Sequence, residues 1–208
     1  MWVKVCGITN GDDAELALRR GAHALGFIFV DSPRRIDRAE ARAIVRSIPH
    51  FVTAVGVFVD ARLEDVVDIV CDCDLDVAQL HGSETPAFMG RLPVPCFKAL
   101  SSHPPLDAKT VREFAEQARG NTVLIDMPKG ERKRETTWPR HLEEVRKHRQ
   151  AGIILAGGLN PDNLVDALDI VEPHAIDVAS GVEREPGRKD PDKVHLFFEQ
   201  IESWKRNR

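Results

Sequence analysis

Several short apolar runs in this chain end in side chains that can transfer protons or bind anions. The first run ends at Cys6 and the sixth at Asp126, which supply a thiol and a carboxyl group. The fourth leads through Gln79 to His81, and the second is followed by the pair Arg34-Arg35. Together these groups suit acid and base catalysis on an anionic ligand.

The last two apolar runs end in turns that suit phosphate binding. The seventh ends in Gly157-Gly158, and the eighth leads from Asp177 into Ser180-Gly181. Because glycine has no side chain, an anion can closely approach the backbone N–H groups of such a turn. One glycine pair is as often a plain tight turn, but two such turns in consecutive units favour a phosphate site.

Cys6 and Asp126 are the candidates for proton transfer, although each has a simpler interpretation. A lone cysteine in an apolar strand is more often inert packing than a catalytic group. Asp126 is harder to explain by packing, because a carboxylate at the end of Val123-Leu124-Ile125 is costly to bury without a partner. The adjacent arginines have a simpler interpretation too, as solvated loop charge.

The sequence predicts neither a metal site nor a nucleotide cofactor. His81 has no second histidine or carboxylate at ligand spacing, and Cys71-Asp72-Cys73 lacks a partner pair. Neither a GxGxxG fingerprint nor a Walker loop is present. The expected ligand is therefore a phosphorylated small molecule.

The chemistry-bearing residues belong to a repeated pattern in which an apolar run is followed by an amphipathic stretch. This pattern predicts eight βα units. The predicted strands are Trp2 to Cys6, Ala24 to Val30, Thr53 to Val59, Val77 to Leu80, Cys96 to Leu100, Thr122 to Asp126, Ile153 to Ala156 and Ala175 to Val178. The predicted helices are Asp12 to Arg20, Arg38 to Ile48, Leu63 to Cys71, Pro86 to Arg91, Lys109 to Ala118, Pro139 to His148, Pro161 to Ile170 and Pro191 to Trp204.

Eight such units predict a compact (β/α)₈ TIM barrel that spans residues 1–208 as a single domain, with a doubly wound open sheet as the competing α/β fold. Strand two is apolar on both faces, as in a parallel sheet covered by helices. Asn160-Pro161 and Asp190-Pro191 each place a capping side chain before a proline, which is typical of a helix start. In a barrel, all the strand ends described above meet at one mouth.

Composition narrows the classes of partner and compartment. The formal net charge of −4 and the absence of any apolar run near membrane-spanning length argue against nucleic acid or a membrane as the main partner. Four cysteines without a secretory leader fit a reducing cytoplasm, so we expect a soluble, cytoplasmic protein. The sequence leaves open whether the chain is a monomer or a homodimer.

The ordered motifs resemble the phosphoribosylanthranilate isomerase family almost from end to end. The matching segments are Lys4–Asn10, Gly26–Phe29 with Ser32–Ile36, Val55–Val59, Gln79–Gly82, Leu155–Pro161, and Ile176–Glu183 with Pro186-Gly187. A glycine turn is common on its own, but six ordered matches are specific.

The resemblance implies a TIM barrel that catalyses an Amadori rearrangement in tryptophan biosynthesis without a cofactor. By carry-over, Asp126 is the general acid, Cys6 the base and Arg35 the residue that holds the anthranilate carboxylate. Gly157, Gly158, Ser180 and Gly181 resemble the phosphate site, with Gln79, His81 and Asp177 in support. Because a thiol is mostly protonated at neutral pH, we expect either the site or a cation on the ligand to lower the pKa of Cys6.

One segment departs from the family pattern. The family usually has a glycine-rich loop after the strand-six aspartate, whereas residues 129–137 here read KGERKRETT and are strongly charged. This keeps two alternatives open. One is a related sugar-phosphate isomerase with a shifted substrate, against which Cys6 argues because the histidine-pathway enzyme usually has aspartate there. The other is a non-catalytic barrel that binds a phosphorylated ligand.

Overall fold

Eight parallel strands close into a barrel, with helices between successive strands along the chain. The computed structural model describes residues 1–118, 120–127, 143, 145–148 and 150–207. The strands are β1 (Trp2–Cys6), β2 (Ala24–Ile28), β3 (Thr53–Phe58), β4 (Val77–Leu80), β5 (Cys96–Ser101), β6 (Thr122–Asp126), β7 (Gly152–Ala156) and β8 (Ala175–Val178). Strand β1 pairs in parallel with both β2 and β8. This closure confirms the predicted barrel and excludes the open sheet.

The helices lie close to their predicted positions. They are α1 (Gly11–Arg19), α2 (Arg38–Ser47), α3 (Leu63–Asp72), α4 (Pro86–Met89), α5 (Ala108–Gln117), α6 (Leu164–Val171) and α7 (Pro191–Arg206). Half of the helix predicted from Pro139 to His148 lies outside the described residues. Apolar side chains from strands and helices together form one buried cluster that extends from Val3 to Ile201.

The two proline-based helix starts have different outcomes. The Asp190 side chain accepts hydrogen bonds from the N–H groups of Asp192 and Lys193, and α7 begins at Pro191 as predicted. The prediction of a helix start at Pro161 is wrong, because α6 begins only at Leu164. Asn160 instead uses its side chain to accept from Asp162 N, at 2.8 Å, and holds the chain in a turn.

A short antiparallel hairpin after β8 was not predicted from the sequence. A 3₁₀ helix, Ser180–Val182, leads into β9 (Glu183–Glu185), which pairs with β10 (Arg188–Lys189). The hairpin lies between the last barrel strand and α7, so it follows the strand end that carries Ser180. None of the described helices is long and apolar enough to cross a membrane.

Candidate active site

The carboxyl ends of the strands surround a cavity of about 370 Å³, within the usual size range for small-molecule sites. Its lining brings together most of the residues that the sequence singled out, namely Cys6, Gln79, His81, Asp126, Gly157, Gly158, Asp177 and Ser180. Two predicted site residues, Arg35 and Gly181, do not line it. Arg34 does line it.

Cys6 lies at the end of β1 beside a buried ion pair. Lys4 Nζ is 2.9 Å from Asp177 Oδ1, and both side chains are almost fully buried. Gly26 pairs with Cys6 across the β1–β2 register. A Cβ on Gly26 would lie 2.7 Å from Cys6 Sγ and 2.9 Å from Lys4 Nζ, so only glycine leaves room for both groups. The thiol and the ammonium group therefore share one small space inside the barrel.

The structure corrects part of the expectation for the thiol. Burial is the largest influence and raises the pKa of Cys6 above its ordinary value, although the Lys4 ammonium opposes this and Asp177 adds to it. The pKa of Lys4 is also raised, because the attraction of Asp177 and Cys6 outweighs the opposing effect of its burial. The protein without ligand therefore keeps Cys6 protonated. We expected either the site or a cation on the ligand to lower the pKa of Cys6. Only the cation on the ligand remains as an explanation.

Asp126 ends β6 on the side of the ring away from β1. Its Oδ2 is 3.2 Å from His81 Nε2, and His81 Nδ1 is 3.1 Å from Gln79 Nε2. Gln79 belongs to β4 and is 1% exposed, whereas His81 and Asp126 are partly exposed toward the cavity. A continuous line of polar contacts thus runs from the barrel interior to the candidate acid.

The loop that carries His81 is held by a buried lysine that sequence reasoning missed. Lys98 in β5 contacts the Glu84 carboxylate at 3.1 Å and the Gly82 carbonyl at 2.5 Å. Glu84 in turn accepts from the N–H groups of Asp60 and Gly82. The available signal was a lysine inside the apolar run Cys96 to Leu100, where an unpaired charge would be costly.

The arginine in the cavity is Arg34, so the assignment of Arg35 as the carboxylate-binding residue is not supported by the geometry. Arg35 is exposed, because the turn at residues 32–35 directs Arg34 toward the barrel and Arg35 to solvent. Gly7, at φ +73°, makes room for Arg34, since a Cβ there would lie 2.8 Å from Arg34 Cδ. The Ser32-Pro33-Arg34-Arg35 motif by itself does not say which arginine turns inward.

Glu183 at the start of β9 holds Arg34 in place. Arg34 donates to the Glu183 carboxylate through Nε, at 3.0 Å, and through Nη2, at 2.7 Å. These hydrogen bonds are the largest cause of the raised pKa of Arg34. Burial acts to raise the pKa of Glu183, but Arg34 and Lys189 more than offset it and leave that pKa lowered. Glu183 is therefore a carboxylate that orients the guanidinium.

Lys189 connects this carboxylate to the first strand. Its fully buried Nζ lies 2.9 Å from Glu183 Oε1 and donates to the Cys6 carbonyl at 2.6 Å. The hairpin of β9 and β10 thus reaches the backbone of the candidate base and the side chain of Arg34 together. Sequence reasoning missed Lys189, since residues 6 and 189 are adjacent only after the barrel closes.

The glycine turns after β7 and β8 are packed against their neighbours. Gly157 and Gly158 have φ values of +86° and +75°, which favour glycine. A Cβ on Gly157 would collide with the backbone of Met127, and one on Gly181 with the carbonyl of Leu159. Gly181 thus lets the two turns approach each other, while Gly157, Gly158 and Ser180 face the cavity.

Two sequence predictions concern metals and the atypical loop. Among the residues that the structure describes, no group of three or more histidine, cysteine or acidic side chains could hold a metal ion. The charged segment at residues 129–137 lies outside the described residues.

Members of one known family are similar to this chain along almost its whole length. The family model for N-(5′-phosphoribosyl)anthranilate (PRA) isomerase matches residues 3–200. The N-(5′-phosphoribosyl)anthranilate isomerase of Geobacter sp. (strain M21) is 40% identical over 196 residues, which cover 94% of this chain and 95% of that protein.

Two solved structures share the fold over almost their full length. A phosphoribosyl anthranilate isomerase in complex with reduced 1-(o-carboxyphenylamino)-1-deoxyribulose 5-phosphate is 33% identical, with a TM-score of 0.86 and coverage of 98% of this chain and 99% of that one. Monomers generated from the dimeric phosphoribosylanthranilate isomerase of Thermotoga maritima are also 33% identical, with a TM-score of 0.82 and coverage of 97% and 98%. The family model spans almost the whole chain and the relatives match it over nearly their full length, so the chain belongs to the N-(5′-phosphoribosyl)anthranilate isomerase family.

Proposed function

We propose that this chain converts N-(5′-phosphoribosyl)anthranilate into 1-(2-carboxyphenylamino)-1-deoxyribulose 5-phosphate in L-tryptophan biosynthesis, with Cys6 as base and Asp126 as acid. The observation that carries the proposal is that both groups line one cavity from strands on different sides of the barrel. A sugar bound between them would meet an acid on one face and a base on the other. The same cavity contains Arg34 and the glycine turns, which suit the two anionic ends of this substrate.

The first step is opening of the ribose ring. Asp126 gives its proton to the ring oxygen as the bond from that oxygen to C1 breaks, and the nitrogen lone pair forms a protonated imine. Asp126 is then a carboxylate that accepts from His81. The new positive charge forms inside the cavity that Cys6 also lines, and it favours the thiolate.

The second step moves a proton from carbon to the base. Cys6 removes the proton from C2, and the electron pair of that C–H bond forms the C1–C2 double bond and neutralises the imine. The enolamine then gains a proton at C1 and loses one from the C2 hydroxyl, which gives the ketone. Asp126 has supplied one proton and Cys6 has removed one, so the rearrangement needs no oxidant or cofactor.

Arg34 is the group that we assign to the anthranilate carboxylate. Glu183 occupies its Nε and Nη2, whereas within the described part of the chain Nη1 makes no hydrogen bond. The Nη1 donors are therefore available to a ligand while Glu183 fixes the plane of the group. At the opposite end, the N–H groups of Gly157, Gly158 and the Ser180-Gly181 turn would receive the phosphate.

The proposal extends to the domain organisation of the chain, its location, its oligomeric state and the class of its ligand. We infer that residues 1–208 act as one catalytic domain in the cytoplasm, as a monomer or a homodimer, on a phosphorylated small molecule rather than on nucleic acid. An unshifted molecular mass on addition of DNA, measured by light scattering at low salt, would agree with this. A stable complex with DNA would contradict it.

The activity is tested by the loss of substrate fluorescence, with the substrate generated in place from anthranilate and phosphoribosyl pyrophosphate. We expect rapid loss with the wild type and a fall of about 10²-fold or more for Asp126→Asn, since a positioned general acid contributes at least that much. Cys6→Ala should fall similarly. Equal slow loss in all three proteins would contradict the proposal, and turnover of the histidine-pathway ribonucleotide instead would indicate a shifted substrate.

A further inference from the structure

The line of contacts from Gln79 through His81 to Asp126 fixes which atoms carry protons. Gln79 Nε2 lies 3.1 Å from His81 Nδ1, and His81 Nε2 lies 3.2 Å from Asp126 Oδ2. An amide nitrogen only donates, so Nδ1 must accept and therefore carries no proton. The ring is then neutral with its proton on Nε2, and it donates to Asp126.

This arrangement assigns different tasks to the two oxygens of Asp126. Oδ2 accepts from His81, which leaves Oδ1 to carry the proton that the acid transfers. Oδ1 lies 2.7 Å from the position that a Cβ on Gly157 would take, next to one of the turns that line the cavity. The absence of a side chain at Gly157 lets this turn pack against the Met127 backbone and lie close to Oδ1.

The second polar atom of the Gln79 amide, Oε1, indicates that protein stability alone does not explain why a glutamine occupies position 79. Its Oε1 is buried and has no hydrogen-bond partner among the described residues. An unpaired buried acceptor costs free energy, and an apolar side chain of the same shape would avoid that cost. The hydrogen bond to His81 is what an apolar replacement would remove.

We propose that Gln79 is a positioning residue that fixes the Nε2–H tautomer of His81 and, through it, holds Asp126 with Oδ1 toward the substrate. The inference rests on the proposed function, since it concerns how the acid of that reaction is oriented. It adds a residue that never touches the reacting atoms but sets the geometry of one that does. A wrong histidine tautomer is costly where an acid or base depends on it.

The variant Gln79→Met tests this, because methionine has nearly the same shape but cannot donate to Nδ1. We expect kcat to fall by about 10-fold or more, as when other hydrogen bonds that fix a histidine tautomer are removed, with little change in KM. The thermal unfolding midpoint should not fall, because the substitution also removes the unpaired oxygen. Gln200→Met is the matched control, since Gln200 Oε1 is also buried without a partner but lies on α7, away from the cavity.

A double-mutant cycle separates positioning from a structural role. If Gln79 acts through Asp126, the effect of Gln79→Met on kcat should disappear in an Asp126→Asn background. An equal fall in both backgrounds would overturn the inference, as would unchanged kcat in Gln79→Met alone. Near-normal turnover of Asp126→Asn would instead contradict the acid role in the proposed function, so the two failures are distinguishable.

A second measurement does not depend on activity. Nitrogen NMR of protein containing ¹⁵N-labelled histidine reports the tautomer of each ring, and His81→Asn identifies the relevant signals. We expect the Nε2–H tautomer for His81 in the wild type and loss of this single form in Gln79→Met. An Nδ1–H tautomer in the wild type would overturn the inference.

Discussion

At the scale of single residues, Cys6 lies beside two opposite charges that have opposite effects on the pKa of its thiol. Lys4 lowers the pKa of Cys6 and Asp177 raises it, while burial raises it most. Since the pKa of the thiol lies above neutral pH, only the small thiolate fraction can act as base. While the pH is below that pKa, each increase of one pH unit raises the thiolate fraction about tenfold. Because Asp126 must hold a proton when the wild type begins the reaction, the titration of the base is isolated in Asp126→Asn, and we expect the residual kcat/KM of that variant to rise with pH from 6 toward 9.

Removing the charge of Lys4 or of Asp177 should shift the pKa of Cys6 in opposite directions, which tests the assignment of Cys6 as base. In the same Asp126→Asn background, Lys4→Met should move the rising limb of the kcat/KM profile to higher pH, and Asp177→Asn should move it to lower pH. The measurement is a pH profile of both double variants beside Asp126→Asn, at temperatures where all three remain folded. Shifts in the same direction would contradict the assignment of Cys6 as the titrating base.

The neighbouring arginines provide a second prediction at this scale. Arg34→Met should raise KM by about 10- to 10²-fold, because a charge-assisted hydrogen bond contributes roughly 1.5–3 kcal/mol. Arg35→Met should leave KM unchanged, since Arg35 is exposed and outside the cavity. Steady-state kinetics on both variants measures this. The reverse order of effects would restore Arg35 to the role that the motif suggested.

Residue types could be predicted from the sequence more readily than side-chain directions. Cys6, His81 and Asp126 were identified because each ends an apolar run, and strand ends of a barrel meet at one mouth. Arg34 and Arg35 have the same chemistry in adjacent positions, so only the path of the turn distinguishes them. Lys4 and Lys98 were missed as site residues because their partners, Asp177 and Glu84, become neighbours only through folding.

At the scale of elements, the turns after β7 and β8 approach each other through their glycines. Gly158→Ala should raise KM by about 10-fold or more, because a side chain beside the N–H groups keeps the phosphate away and costs at least one hydrogen bond to a charged group. Gly21→Ala is the matched control. Gly21 also has positive φ, at +99°, but a Cβ there would meet nothing within 4 Å.

The two alanine variants should lose similar stability, about 1 kcal/mol each, because both force alanine into the left-handed region. Only Gly158→Ala should weaken binding of substrate or of inorganic phosphate, measured by calorimetry. Equal phosphate affinity in the two variants would remove Gly158 from the phosphate site.

The approximate positions of the strands and helices could be predicted from the apolar runs. The first residue of each helix could not always be predicted. The signal at Asp190-Pro191 located α7 correctly, because the cap is local in sequence. The similar signal at Asn160-Pro161 failed because Asn160 and Asn163 both donate to the Gly158 carbonyl, at 3.2 Å and 3.0 Å. These contacts belong to the glycine turn rather than to the helix.

At the scale of the whole molecule, the hairpin of β9 and β10 joins the end of the barrel to its beginning. Lys189→Met should destabilise the protein by about 3 kcal/mol, since it removes one partner of a buried ion pair and one hydrogen bond to the Cys6 carbonyl. Urea unfolding measures this. Lys193→Met is the control, because its half-exposed ammonium contacts the Glu183 backbone and should contribute less than about 1 kcal/mol.

An equal, small effect of the two lysine variants would show that the Lys189 contacts do not stabilise the closed barrel.

The fold itself was predictable, because eight apolar runs with intervening amphipathic stretches fit a closed parallel barrel. The hairpin was not, because the contacts from Lys189 to Cys6 and from Arg34 to Glu183 span 183 and 149 positions of sequence. Local patterns contain no information on such pairs.

The most direct test of the central claim is a crystal structure of this chain with reduced 1-(o-carboxyphenylamino)-1-deoxyribulose 5-phosphate. We predict that the sugar carbons lie between Cys6 Sγ and Asp126 Oδ1. The phosphate should contact Gly158 and Ser180, and the carboxylate should contact Arg34. A ligand whose C2 lies away from Cys6, or whose phosphate lies outside the two turns, would contradict the proposed roles.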